Sequence, residues 1–106
     1  MVEGNKNISE APIAVKTSTS LKHQNFLSEP MGEKLITSVP GIGPKYGELL
    51  SKDGYDKAYV LLGQFLVLKK DKKSFYENFL MEEYKMSKQH AEACYESFLA
   101  YADQHI

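Results

Sequence analysis

Apolar residues recur at helical spacing in two long segments, and no segment of the chain makes a convincing strand. The last segment, from Ser87 to about Gln104, shows the pattern in Ala91, Cys94, Tyr95, Phe98, Leu99 and Ala102. Residues 74–84 place Phe75, Phe79 and Leu80 on one face. Shorter helices are predicted at residues 20–28 and 44–52, with a short element at 33–39 between them. We therefore predict a compact all-α domain of about five helices.

Proline, glycine and capping residues set the expected helix boundaries. Pro30 ends the first helix, and Pro44 suits a first helical position, because its missing N–H has no partner there. Asp53-Gly54 is expected to end the helix that begins at Pro44. Residues that commonly cap a helix N-terminus precede four segments: Ser20, Asp56, Ser74 and Ser87. Residues 1–19 hold no aromatic residue, and their apolar residues follow no regular spacing. We therefore predict a disordered tail followed by one helical domain at 20–106.

The segment from Ala58 to Leu68 is apolar on nearly every side. Only Val60 and Val67 are β-branched, which favours a helix, although a strand hairpin around Gly63-Gln64 remains an alternative. A helix that is apolar all round lies either at the centre of a core or against another chain. Gly63 in mid-helix costs about 0.5–1 kcal/mol relative to Ala, and close approach of a second backbone is one reason to tolerate it. The sequence is compatible with both locations, the centre of the core and an interface with another chain.

A glycine-rich turn lies between two helical segments at Gly41-Ile42-Gly43-Pro44. Both glycines permit positive φ in a tight turn, and Ile42 can anchor the turn in the core. The amides of Gly43, Lys45 and Tyr46 then lie at a helix N-terminus, which favours a phosphate. Gly47 allows close packing one turn later. This is the helix-hairpin-helix pattern of sequence-independent DNA-backbone binding; an αα-hairpin with no ligand is the alternative.

Length and composition narrow the class of protein. The chain has 106 residues, which suits one domain, and no apolar run reaches the roughly 20 residues of a membrane span. The polar, mixed-charge opening does not resemble a signal peptide. Cys94 is the single cysteine, so neither an intrachain disulfide nor a four-cysteine zinc site can form, and a reducing compartment is expected.

The net charge of −1 argues at first against nucleic acid, but the charge is unevenly distributed. Residues 1–73 carry 11 lysines and 8 acids, whereas residues 74–106 carry 2 lysines and 6 acids. All 13 basic residues are lysine. Because arginine is the usual reader of guanine edges, any DNA binding is expected to use the phosphate backbone.

Catalytic and metal-binding patterns are weak. His23, His90 and His105 have no Ser or Asp partner at a recognisable spacing. His90 and Cys94 could supply two metal ligands from one helix, too few for a zinc site. We expect no enzyme activity, no cofactor and no metal.

The hydroxyl-rich run Thr17-Ser18-Thr19-Ser20 has two interpretations. It is a solvated linker ending in a cap, or it is a phosphorylation cluster, in which each phosphate adds nearly two negative charges. The residues alone favour the linker.

The chain resembles the barrier-to-autointegration factor family. Four strings carry the resemblance: SLKHQNF (20–26), EPMGEK (29–34), GIG (41–43) and GYDKAYVLLGQFLVLKKD (54–71). The similarity covers about residues 18–106, is weaker after Asp71, and finds no counterpart for residues 1–17.

The resemblance implies a small five-helix protein that dimerises and binds double-stranded DNA without sequence preference, so that one dimer bridges two duplexes. It further implies binding to LEM-domain proteins and lamins, a place in the nucleus, on chromatin and at the nuclear envelope, with some protein in the cytoplasm, and no membrane insertion. N-terminal phosphorylation in the family releases DNA.

Specific positions follow from the same resemblance. The DNA surface matches Lys22, Gly41, Ile42 and Gly43 with the amides after Pro44, which adds Lys45, Tyr46 and Gly47. The dimer and LEM-domain surface matches Gly63, Gln64, Leu66, Val67 and Lys69. The phosphorylated positions match Ser18, Thr19 and Ser20.

Glu48 and Leu49 depart from the family, because they stand where its members commonly carry lysine or other polar residues. The helices after Asp71 also lack the usual tryptophans. A second hypothesis is therefore an adaptor of the same fold that has weak or lost DNA binding and mainly engages LEM-domain-like partners.

Overall fold

The computed structural model describes the backbone of residues 14–106 and the side chains from Leu21 onward. Its five helices are α1 (Ala14–Ser28), α2 (Pro44–Lys52), α3 (Ala58–Val67), α4 (Lys73–Glu83) and α5 (Lys88–His105). One turn of 3-10 helix, Ile36–Ser38, precedes α2. Residues 14–106 form no strand; a single antiparallel bridge joins Leu35 to Lys57. The all-α prediction is confirmed.

Helix α1 begins at Ala14, earlier than predicted. The helix therefore includes residues 14–20, where a disordered tail ending in a cap at Ser20 was predicted. Residues 14–19 contain neither glycine nor proline, so nothing in them stops the helix from extending through the hydroxyl-rich run. The rest of the predicted tail, residues 1–13, lies outside the described residues.

Helix α2 has the predicted bounds, and α3 is a helix rather than a strand hairpin. Asp56 does not cap α3, because the N-cap position belongs to Lys57, which makes no side-chain cap bond. The backbone pairing with residues 34–36 sets this helix start instead. Ala58 N–H donates to the Lys34 carbonyl at 2.9 Å, and Ile36 N–H donates to the Asp56 carbonyl at 3.0 Å.

Helix α4 has π-helical hydrogen bonding, and its predicted cap is wrong. Ser74 lies inside the helix, where its backbone N–H and its hydroxyl both donate to the Asp71 carboxylate at 2.9 Å. The bond from the Ser74 N–H is the main reason that the pKa of Asp71 lies below its usual range. The Asp71 carboxylate, three residues upstream, therefore gives the Ser74 N–H of the first turn a hydrogen-bond partner.

Aromatic side chains fill the space between α3, α4 and α5. The Phe65 ring on α3 lies 5.1 Å from the Phe75 ring and 5.7 Å from the Phe98 ring, measured between centroids. All three side chains are fully buried. From the far end of α5, the Tyr101 hydroxyl accepts a hydrogen bond from Met31 N–H at 2.9 Å, which ties α5 to the turn after α1. This core holds the segment 36–52 in place for the site below.

Ser87 caps α5 as predicted: its hydroxyl accepts from His90 N–H at 3.3 Å. Ser87→Ala is expected to lower the free energy of unfolding by about 1 kcal/mol, because it removes the partner of an otherwise unpaired helix N–H. Urea denaturation measures this loss, and Ser51→Ala on the exposed surface of α2 is the matched control. Equal unfolding midpoints for Ser87→Ala and the wild type would contradict the assignment.

Candidate nucleic-acid interface

The glycine hairpin, defined as residues 39–43, connects the 3-10 turn to α2. Val39 and Ile42 are fully buried, and Ile42 N–H donates to the Val39 carbonyl at 3.0 Å. Ile42 therefore anchors the hairpin in the core, as the sequence predicts. The helical element before the hairpin is a single 3-10 turn rather than a longer helix.

The two glycines of the hairpin have different roles. Gly41 has a φ of +88°, and a Cβ there would lie 2.2 Å from the His90 carbonyl oxygen of α5. Gly41 is thus required by both its conformation and its contact. Gly43 has a φ of −100°, so it does not use the positive φ that glycine permits. A Cβ on Gly43 would meet nothing within 4 Å, because this position faces open space beside the helix end.

The N-terminus of α2 presents its amides next to that open space. Gly43 is the N-cap and Pro44 is the first helical residue. The Gly47 N–H donates to the Gly43 carbonyl at 2.8 Å and closes the first turn. The Lys45 and Tyr46 N–H groups precede that bond, and helix geometry gives them no partner within α2. The dipole of α2 favours a negative charge at this position.

Gly47 is buried where α2 crosses the 3-10 turn. A Cβ on Gly47 would lie 2.8 Å from the Thr37 Cγ2 atom, closer than real contacts allow. This glycine permits the two elements on either side of the hairpin to approach, as expected from the sequence.

Lys22 reaches the hairpin from α1. Its ammonium donates to the Ile42 carbonyl at 3.1 Å, and partial burial lowers the pKa of Lys22 below its ordinary value. The side chain thus places a positive charge at the hairpin and also ties α1 to it. Ser18, Thr19 and Ser20 lie on the helical backbone just before Lys22, and their side chains are outside the described part of the structure.

The contribution of the α5 N-terminus was not predicted from the sequence. The Tyr46 hydroxyl accepts from Ser87 N–H at 3.2 Å, and the Tyr46 and His90 rings meet edge to face at 5.6 Å between centroids. The His90 Nδ1 atom lies 2.7 Å from the Ser87 hydroxyl. The Ser87-x-x-His90 capping pattern was the available signal in the sequence, but nothing in it indicates that α5 contacts the glycine hairpin.

No third ligand joins His90 and Cys94 in the part of the chain that the structure describes. Cys94 is fully buried, and that burial raises the pKa of its thiol. Among the described residues, no three histidine, cysteine or acidic side chains come together as ligands would.

A second group of predicted residues lies on α3 and just after its C-terminal end. The inward side of α3 buries Ala58, Leu61, Leu62 and Phe65. On its outward side Tyr59 is 48% exposed, Leu66 37% and Val67 72%. Gly63 and Gln64 are partly exposed, Lys69 is exposed, and a Cβ on Gly63 would meet nothing within 4 Å. The helix is therefore half in the core, and its other half is an apolar surface with no cover from the described part of the chain.

None of the helices described between residues 14 and 106 has both the length and the apolar character needed to cross a membrane.

The chain matches known proteins over most of its length. The family model described as Barrier to autointegration factor matches residues 17–105. Barrier-to-autointegration factor 1 of Caenorhabditis elegans is 48% identical over 87 residues, which cover 82% of this chain and 97% of that relative. Barrier-to-autointegration factor B of Xenopus laevis is 57% identical over 61 residues, which cover 58% of this chain and 68% of that relative. Barrier-to-autointegration factor of Homo sapiens is 58% identical over 60 residues, which cover 57% and 67% respectively. The hairpin geometry and these matches together establish that the chain belongs to the barrier-to-autointegration factor family.

Proposed function

We propose that the chain is a homodimer that binds and bridges double-stranded DNA without reading its sequence. The observation that carries the proposal is the open α2 N-terminus, where Gly43 leaves room for a phosphate beside the Lys45 and Tyr46 amides. Backbone amides are blind to base identity. The helix-hairpin-helix of each subunit supplies one duplex contact through Lys22, Gly41, Ile42, Gly43, Lys45, Tyr46 and Gly47. The protein acts by binding and not by catalysis.

The dimer forms through the outward side of α3. Leu66 and Val67 are large apolar side chains that the described residues leave exposed. A second copy that covers them would remove this apolar area from water, which favours association. Gly63, Gln64 and Lys69 complete that surface, and two outward-facing hairpins on one dimer would allow it to hold two duplexes.

The same surface across the dimer is proposed to receive LEM-domain proteins, and the protein is proposed to contact lamins. It would then link chromatin to the nuclear envelope, with a further pool in the cytoplasm. Family membership and the exposed apolar side chains of α3 support this part of the proposal.

A mobility-shift titration with two unrelated duplexes, run beside size-exclusion chromatography, tests the central claim. We expect equal affinities for the two duplexes, affinities that fall as salt rises, and elution as a dimer. A clear sequence preference, or no shift of either duplex at low salt, would refute DNA-backbone binding.

The alternative is an adaptor that has lost DNA binding and mainly engages LEM-domain-like partners. The exposed Glu48 on α2 favours it, since this carboxylate weakens the positive field near the hairpin. The net charge of −1 points the same way. The mobility-shift titration separates the two functions, because the adaptor would shift neither duplex.

Phosphorylation of Ser18, Thr19 or Ser20 is proposed to release DNA. These residues lie two to four positions before Lys22, whose ammonium contacts the hairpin. We expect a variant with glutamate at all three positions to bind duplex DNA about tenfold more weakly, since the added charges repel phosphate. Fluorescence anisotropy measures the change, and a variant with alanine at all three positions is the control. Wild-type affinity in the triple-glutamate variant would argue against the switch.

A further inference from the structure

A concavity of about 440 Å³ lies beside the outer side of α2. Its lining includes, from α2, Lys45, Tyr46, Leu49 and Lys52, and from the α4–α5 connection, Tyr84 and Lys85. We refer to it as the α2 concavity. Lys45 and Tyr46 also supply the amides at the hairpin, so the concavity continues directly from the proposed phosphate site.

Three lysines surround this concavity, although α2 itself has Glu48 and Leu49 at its middle. Lys45 and Lys52 are seven residues apart, which is two helical turns, so they lie on the same side of α2 with Leu49 between them. Lys85 enters from the other wall, and its φ of +58° turns the chain between α4 and α5. Met86, which follows it, is buried and fixes that turn in the core.

The lining also holds two carboxylates, Asp53 and Glu83, so its three lysines leave one positive charge in excess. The Asp53 carboxylate accepts a hydrogen bond from the Tyr84 hydroxyl at 2.5 Å. Burial, followed by this bond, raises the pKa of Tyr84 above its ordinary value. Glu83 is the other carboxylate of the lining, and it is exposed. Among side chains from residue 21 onward, ion pairs form at Lys34–Glu29 and Lys57–Glu33, and none involves the three lysines.

We propose that duplex DNA held at the hairpin continues over the α2 concavity, where Lys52 and Lys85 each neutralise a phosphate. This inference rests on the proposed DNA binding and adds to it two contacts outside the hairpin. Because lysine is a mobile point charge, the contacts would contribute affinity and salt dependence without sequence preference. The site thereby supplies the positive charge that Glu48 and Leu49 do not.

The test is the salt dependence of DNA binding by the Lys52→Gln/Lys85→Gln double variant, followed by fluorescence anisotropy between about 50 and 200 mM salt. Each phosphate contact contributes about 0.9 to the slope of log affinity against log salt. We expect the slope per subunit to become shallower by about 1.8 and the affinity at low salt to fall about tenfold. Two unrelated duplexes should show the same change.

A matched control removes two charges elsewhere. Lys72→Gln/Lys73→Gln makes the same change in net charge at the opposite end of α4, where both lysines are exposed. We expect this control to keep the wild-type slope. A wild-type slope in Lys52→Gln/Lys85→Gln overturns the α2 contacts while leaving hairpin binding intact, and an equal change in both double variants also overturns them. Failure of the wild-type protein to bind DNA refutes the proposed function itself.

Discussion

Gly43→Glu is expected to abolish duplex DNA binding and to leave the protein folded. A Cβ at this position meets nothing within 4 Å, and the backbone φ of −100° suits any residue. A carboxylate at a helix N-terminus is also compatible with the helix dipole. The same carboxylate would occupy the space beside the Lys45 and Tyr46 amides and repel an approaching phosphate. Fluorescence anisotropy should show at least a hundredfold loss of affinity, and circular dichroism should show unchanged helix content.

Gly41 is a poorer position for that test, although it belongs to the same hairpin. Any side chain at Gly41 would collide with the His90 carbonyl oxygen, where the Cβ alone would come within 2.2 Å. The strain of a φ of +88° adds about 1–3 kcal/mol to that overlap. Loss of DNA binding in Gly41→Glu would therefore report unfolding as readily as a lost phosphate site. If folded Gly43→Glu protein shifts duplex DNA as the wild type does, the phosphate lies elsewhere.

Local signals predicted the part of the site that depends on nearby residues. Pro44 and Gly54 fix the bounds of α2, because one starts a helix and the other permits the turn that ends it. The buried position of Ile42 followed from its place between two glycines. These features involve residues a few positions apart, so the sequence pattern contains them.

Long-range contacts account for what the sequence did not predict. Gly41 and Gly43 are equivalent in the sequence pattern, yet only Gly41 packs against the backbone of α5. The contact is at His90, which lies 49 residues later in the chain. The Lys22 contact with the Ile42 carbonyl joins residues 20 positions apart. The π-helical form of α4 is likewise hidden, because Phe75, Phe79 and Leu80 also fit the spacing of an ordinary helix.

Gly63→Glu is expected to convert the dimer into a folded monomer. In the isolated chain a Cβ on Gly63 meets nothing within 4 Å, so the helix gains about 0.5–1 kcal/mol in propensity when glycine is replaced. In the proposed dimer the new carboxylate would be buried without a partner beside Leu66 and Val67. An uncompensated buried charge costs about 3–5 kcal/mol, which corresponds to a dimer dissociation constant raised at least a hundredfold.

Light scattering with size-exclusion chromatography measures this effect, and Gly43→Glu is its matched control. Both variants exchange glycine for glutamate at positions where the chain leaves open space, so they change mass and charge identically. We expect Gly43→Glu to stay dimeric without binding DNA, and Gly63→Glu to bind a single duplex through its hairpin without bridging two. A wild-type protein that is monomeric at micromolar concentration would refute the proposed dimer. A Gly63→Glu variant that remains dimeric would place the interface outside α3. The expected pair of results would show that the DNA surface and the dimer surface are separate, because each substitution would remove one function and preserve the other.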